Sequence, residues 1–206
     1  MSLAKKAARL PLFFIFFFLS CPADEEDAIM LQIYHSLHVE IENALSGTEI
    51  PPAYMAALIS LESVPPGNKN SERFEPFVYS RLLDLKYRGL PYGSLSRRIL
   101  SEYSDEEIRK FATSYGLTQI MGYHCLEMGC SIDDLKGRYH LLWAMNWMRK
   151  NYNQMLLKKD WQACFRIHNT GRANGVTARP DYVTRGLLRM AYYQKWEKKN
   201  GDVTVR

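Results

Sequence analysis

The sequence predicts an all-α domain, on three observations. Apolar residues recur at helical spacings of three and four, as in Ile33, Leu37, Ile41 and Leu45, and again in Leu141, Met145, Met148, Tyr152 and Met155. Two Ser-x-x-acid caps, Ser104 to Glu107 and Ser131 to Asp134, each announce a helix start. No stretch alternates at period two for the length of an ordinary strand. A hydrophobic content of 47% supplies a core, and 206 residues fit one domain preceded by a leader. The expectation is a single globular domain of roughly seven to nine helices.

The leader comes first. Lys5, Lys6 and Arg9 precede the apolar run Leu10 to Leu19, and Ser20, Cys21, Pro22 and Ala23 follow it. A run of about ten apolar residues is short for a membrane span and suits the apolar core of a signal peptide. Residues 1–23 are therefore expected to be a signal segment, and the chain to be exported. Cleavage after Ala23 frees a soluble protein, periplasmic or secreted. Cleavage before Cys21 leaves a lipid-anchored lipoprotein, although Phe18 and Leu19 depart from the usual lipoprotein pattern. An uncleaved anchor is the third outcome. Losing Lys5, Lys6 and Arg9 leaves 24 basic against 22 acidic residues, a net +2. That balance gives no electrostatic case for a nucleic-acid partner.

Next, residues 24–50 read as an amino-terminal helix, with an acidic start that favours the helix dipole and a stop at Gly47. Pro51 and Pro52 open the second helix, and Pro65-Pro66-Gly67 must end it. Met55, Leu58, Ile59 and Glu62 share one face of that helix. Glu62 thus stands at the buried edge of an apolar stripe. Partial loss of hydration there favours a protonated carboxyl, which a general acid requires. Val64 to Glu72 reads as a surface loop, Arg73 to Leu83 as loop entering helix, and Gly89 to Gly93 as a turn. A short helix spans Asp160 to Ile167, a loop His168 to Arg179, and a last helix Asp181 to about Trp196. Cys125 and Cys130 are five apart and either can pair with Cys164, while His124, Cys125, Cys130 and His140 have no recognised metal-ligand spacing. His124 reads as a surface histidine, with a place on a groove rim as the alternative, and Arg179 as a solvated loop cation, with a ligand carboxylate as the alternative partner.

Three islands then stand in order. Glu62-Ser63 ends a helix. Gly116-Leu117-Thr118-Gln119-Ile120 follows about fifty residues on, and His168-Asn169-Thr170-Gly171 about fifty after that, with Tyr182 behind. This ordered set resembles the lysozyme-like superfamily, in particular lytic transglycosylases and goose-type lysozymes. Arg73 to Leu83 together with Tyr115 to Gly122 also resembles an N-acetylmuramidase family of the same fold. The resemblance covers residues 51–198 as a lysozyme-like catalytic domain.

The resemblance implies cleavage of the β-1,4 bond between N-acetylmuramic acid and N-acetylglucosamine in peptidoglycan. It makes the glycan strand the partner and calls for no cofactor or metal. Glu62 takes the place of the catalytic acid, supported by Ser63 and Tyr182. Gly116, Gln119, Ile120, His168, Asn169 and Gly171 take the places of groove residues. Two positions depart from the pattern: Thr118 stands where Met is usual, and His168 where Tyr is usual. A His there can carry charge at mildly acid pH.

Glycoside cleavage needs a proton for the leaving oxygen and stabilisation of charge at the anomeric carbon. Glu75, just before Pro76, is the natural second carboxylate. If Glu75 acts, the product is a reducing sugar and the enzyme a hydrolytic muramidase. If Glu62 acts alone as acid and then base, the muramyl 6-hydroxyl attacks and a 1,6-anhydro end results, as in a lytic transglycosylase, the reading the three islands favour. The substitution at His168 also leaves room for a catalytically silent peptidoglycan-binding protein.

Overall fold

The computed structural model describes residues 23–63 and 67–201. The expected leader, residues 1–22 with Cys21, lies outside the described residues. Among those described there are nine α-helices and one small sheet, in the order α1 (Ala23–Leu45), α2 (Pro52–Glu62), β1 (Glu72–Phe74), α3 (Pro76–Leu83), α4 (Arg97–Leu100), α5 (Asp105–Phe111), β2 (Thr113–Tyr115), β3 (Ile120–Met121), α6 (Cys125–Met128), α7 (His140–Leu157), α8 (Trp161–Thr170) and α9 (Tyr182–Gly201). The all-α class holds.

The second helix is the centre of the molecule. Every residue from Ala53 to Leu61 is buried, so the one-sided stripe expected for α2 is in fact apolar on all sides. Such a helix has no solvent face and must be surrounded. α1 presents Met30, Ile33, Leu37 and Ile41 to the core, all within the same cluster as α2. α9 and the α7–α8 pair supply Tyr193, Met190, Met148 and Phe165 to it. Ser60 is the one polar residue inside α2, and its hydroxyl donates back to the Ala57 carbonyl at 2.6 Å. Glu62 is the first position past this buried stretch that reaches solvent.

A second, smaller cluster forms under α3, α4 and α5 from Leu82, Leu85, Leu100, Ile108 and Phe111. The Ser104 capping box is complete, with the hydroxyl accepting from Glu107 N–H and the Glu107 carboxylate accepting from Ser104 N–H. The Ser131 and Asp134 pair forms the same reciprocal bonds.

The three strands are antiparallel in the order β1-β2-β3, and none exceeds three residues. Arg73 faces Ser114, and Tyr115 faces Ile120. The sheet thereby brings the Arg73–Glu75 segment beside the turn that carries Gln119. Glu72, expected in the preceding loop, already belongs to β1.

α1 is tied to α9 by charge as well as by packing. The acidic start of α1 was expected to serve the helix dipole. The run does open α1, and in addition Glu26 is buried, its carboxylate taking bonds from Arg185 Nε at 2.8 Å and from the buried Arg189. Arg189 also donates to the Ser60 carbonyl at 2.6 Å, two residues before Glu62.

Candidate active site

A cleft of about 930 Å³ opens between the α2 end, the small sheet, and the α6–α7–α8 side. Glu62 lies in its wall and is half-buried. The helix stops directly behind it because Ser63 is extended (φ −126°, ψ 154°) and sends both its N–H (2.9 Å) and its hydroxyl (3.0 Å) to the Ile59 carbonyl. Ser63 therefore closes the helix end and does not touch the Glu62 carboxyl or line the cleft.

Tyr182, at the first turn of α9, is buried, and its hydroxyl donates to Glu62 Oε1. Burial and the neighbouring Glu62 push this phenol well above its ordinary range, so it remains a hydrogen-bond donor throughout the working pH range. Tyr182, Gly186, Arg189 and Tyr193 recur at helical spacing on the α9 face turned inward. Gly186 is needed there because a Cβ would strike the Phe165 ring at 2.8 Å. Arg179 is exposed in its loop, as expected, and also reaches the cleft wall. Its guanidinium donates to the Leu61 carbonyl at 3.2 Å and sits 5.3 Å from the centre of the Tyr182 ring, in the cleft wall.

The Gln119 turn forms another part of the wall. Gln119 has φ +52°, a left-handed conformation rare outside glycine and often found where geometry is tied to function. Its amide is held at both ends: the oxygen accepts from Ser114 Oγ at 2.8 Å, and the nitrogen donates to the Gly116 carbonyl at 2.8 Å. One N–H and one lone pair are left for a ligand. Ile120 also lines the cleft, whereas Gly116 lies behind it. Gly116 has φ +73°, and a Cβ there would collide with the His140 ring and the Leu135 carbonyl. The variant Gly116→Ala is expected to lose about 2 kcal/mol or more of stability, from strain and overpacking together. Urea unfolding of the two proteins checks this.

His168, Asn169 and Gly171 line the same cleft, but the segment is not the loop expected for it. α8 continues through Thr170 and ends at Gly171, whose φ of +75° and N–H bond to the Ile167 carbonyl make it the helix cap. The glycine read as a loop residue is the helix stop. Asn169 is exposed in that last turn. His168 turns inward and bonds Tyr152 (3.2 Å) and the Thr118 carbonyl (2.8 Å). Burial holds its pKa below the usual histidine range, so the charge expected at mildly acid pH needs a more acid solution to form.

Two carboxylates besides Glu62 face the cleft. Glu75 occupies the N-cap position of α3 but makes no capping bond, and its carboxylate instead meets Arg73 Nε at 2.6 Å. Glu127 escaped the sequence reading. Ser94 donates to its carboxylate, His124 Nδ1 lies 3.1 Å away, and Lys150 stands at 3.9 Å. The bond from His124 holds Glu127 down at about 2, so it is an anion at any pH of interest. Burial keeps His124 below its ordinary range even beside Glu127, so near pH 7 the pair is a neutral imidazole donating to a carboxylate. His124 is thus half-buried in the cleft and not a surface histidine. Trp147 joins the two imidazoles, its ring centre 5.2 Å from His124 and 5.2 Å from His168. The local signal for Glu127 was its i, i+3 spacing from His124 on a short helix.

Cys125 and Cys130 have their sulfurs 3.1 Å apart as free thiols, while Cys164 is buried elsewhere in the core and also free.

No family model matches the chain, and no curated protein matches it. Among solved structures it is similar to the crystal structure of the Burkholderia AP3 phage endolysin, at 18% sequence identity and a TM-score of 0.48, over 82% of this chain and 70% of that one.

Proposed function

We propose that the protein cleaves the glycan strand of peptidoglycan at the β-1,4 bond between N-acetylmuramic acid and N-acetylglucosamine, with Glu62 as general acid. The observation that carries this reading is the convergence, on one cleft, of Glu62 with its Tyr182 donor, Gln119 and Asn169. These come from three chain segments about fifty residues apart, and their order is that of the lysozyme-like pattern. Glu62 supplies the leaving-group proton, Tyr182 fixes which carboxyl oxygen faces the sugar, and the Gln119 and Asn169 amides offer it hydrogen bonds. The favoured reaction is that of a lytic transglycosylase, in which Glu62 then takes the proton of the muramyl 6-hydroxyl and an anhydro end forms.

The presence of Glu75 and Glu127 in the cleft favours a second reading, a hydrolytic muramidase in which one of them steadies the cation or directs water. Export as a periplasmic, secreted or lipid-anchored protein suits a cell-wall substrate and belongs to the same proposal.

Incubation with purified peptidoglycan tests the proposal. Turbidity is expected to fall as strands are cut. Binding that sediments with the wall while turbidity stays constant would identify a silent peptidoglycan-binding protein instead.

A further inference from the structure

His140, at the start of α7, is fully buried and sits behind the Gln119 turn. Its two bonds to backbone groups fix its tautomer, and the Thr118 hydroxyl lies a further 3.1 Å from Nε2. Nε2 lies 3.1 Å from the Thr118 backbone nitrogen, whose N–H only donates, so Nε2 must accept. Nδ1 then carries the proton and donates to the Leu135 carbonyl at 2.5 Å.

His168 grips the same residue with the opposite tautomer. Its Nε2 meets the Thr118 carbonyl, which only accepts, so Nε2 carries the proton. Its Nδ1 accepts from the Tyr152 hydroxyl, and the Tyr152 oxygen in turn accepts from Tyr54 at 3.2 Å. Tyr152 reaches this position through a break in α7 (φ −146°, ψ 32°). The chain Tyr54, Tyr152, His168, Thr118, His140, Leu135 is therefore fully satisfied in one direction. It holds both peptide groups of the residue that precedes the left-handed Gln119.

We propose that His140 is a positioning residue for the cleft. In its neutral form it clamps Thr118 against His168 and so keeps Gln119 in place, and its protonation releases the turn. This rests on the reading of the cleft as a glycan-cleaving site. A protonated His140 sets an Nε2–H against the Thr118 N–H, two buried donors, and leaves only the Thr118 hydroxyl oxygen, 3.1 Å away, to accept it, so the backbone N–H loses its partner. The charged or titratable groups acting on His140 are His168, on α8, and Lys69, in the loop before β1, which itself pairs with Glu40 on α1. Both oppose a positive ring, and burial opposes it more, holding His140 at about 4. That value lies below the unfolded one. The clamp is therefore complete above about pH 6.5 and is lost as pH falls towards 4.

The test uses the full chain, isotopically labelled, with His140→Gln and His140→Leu. The glutamine oxygen can accept the Thr118 N–H and does not titrate. His140→Gln is expected to keep neutral-pH turnover within about threefold, while its acid limb moves to lower pH than that of the wild type. His140→Leu leaves Thr118 N–H unpaired and is expected to lose about tenfold in kcat with KM little changed. In wild type, nitrogen–proton correlations should show His140 protonated on Nδ1 and His168 on Nε2 at pH 7. The Thr118 and Gln119 amide signals should shift with the His140 titration. An Nε2-protonated His140, amide signals indifferent to its titration, or an acid limb of His140→Gln that overlays wild type would each overturn the proposal. If the wild-type chain cleaves no peptidoglycan at any pH, the glycan reading fails, while the ring and amide signals still decide the role of His140.

Discussion

Replacing Glu62 by glutamine is expected to slow peptidoglycan cleavage by about 10²–10⁴-fold, the usual worth of a positioned general acid. The substitution is nearly isosteric. The glutamine oxygen can still accept from Tyr182, and the α2 end is closed by Ser63 and Ile59 through bonds that do not involve residue 62. What is lost is the transferable proton. The urea unfolding midpoint should therefore stay close to wild type while kcat and kcat/KM fall together, the signature of an interaction made in the transition state. A parallel fall in stability would mean that Glu62 is a packing residue. Equal cleavage by both forms would remove it from the chemistry.

Glu26→Ala is expected to cost about 3–5 kcal/mol of stability, read from urea unfolding. Glu26 and Arg189 are both almost wholly buried, and Glu26 takes a second bond from Arg185. Removing the carboxylate leaves the Arg189 cation in a dry interior with only the Ser60 carbonyl and hydroxyl for partners. The penalty comes from that stranded charge more than from the lost attraction. Replacing the pair together, as Glu26→Leu with Arg189→Met, should therefore recover much of the loss. Because Arg189 also holds the Ser60 carbonyl next to the end of α2, Glu26→Ala should reduce cleavage activity as well, at a distance from the cleft.

The helices with local punctuation were legible in the sequence. Pro51-Pro52 at the start of α2, the Ser104 capping box and the Asp160 start of α8 each carry their signal within a few residues. What failed to show depends on partners far along the chain. β1 pairs with β2 some forty residues away, and strands of three residues leave no periodic trace. The acidic start of α1 looked like a dipole partner because Arg185 and Arg189 lie at the other end of the sequence.

The candidate site shows the same division. Glu62 was singled out by its place on the apolar stripe, Gln119, Asn169 and Tyr182 by the resemblance to the lysozyme-like pattern, and all four line one cleft. Ser63 and Gly116 serve it from behind, one by stopping a helix and the other by making room for His140. Glu127 was missed because its i, i+3 spacing from His124 does not by itself tell that the short helix faces the cleft. His168 was read as a loop residue open to protonation. Its place in the last turn of α8, packed against Trp147 and Tyr152, corrects the loop and makes protonation harder.

Mass spectrometry of the fragments released from purified peptidoglycan decides whether Glu62 cuts the glycan strand. Disaccharide-peptide units cut between N-acetylmuramic acid and N-acetylglucosamine are expected, with 1,6-anhydro ends one water lighter than reducing ends. Reducing ends at the same bond would transfer the chemistry to the hydrolytic reading, with Glu75 or Glu127 as partner. Peptides released from intact glycan strands, or no fragments at all, would contradict the assignment of this cleft to glycan cleavage.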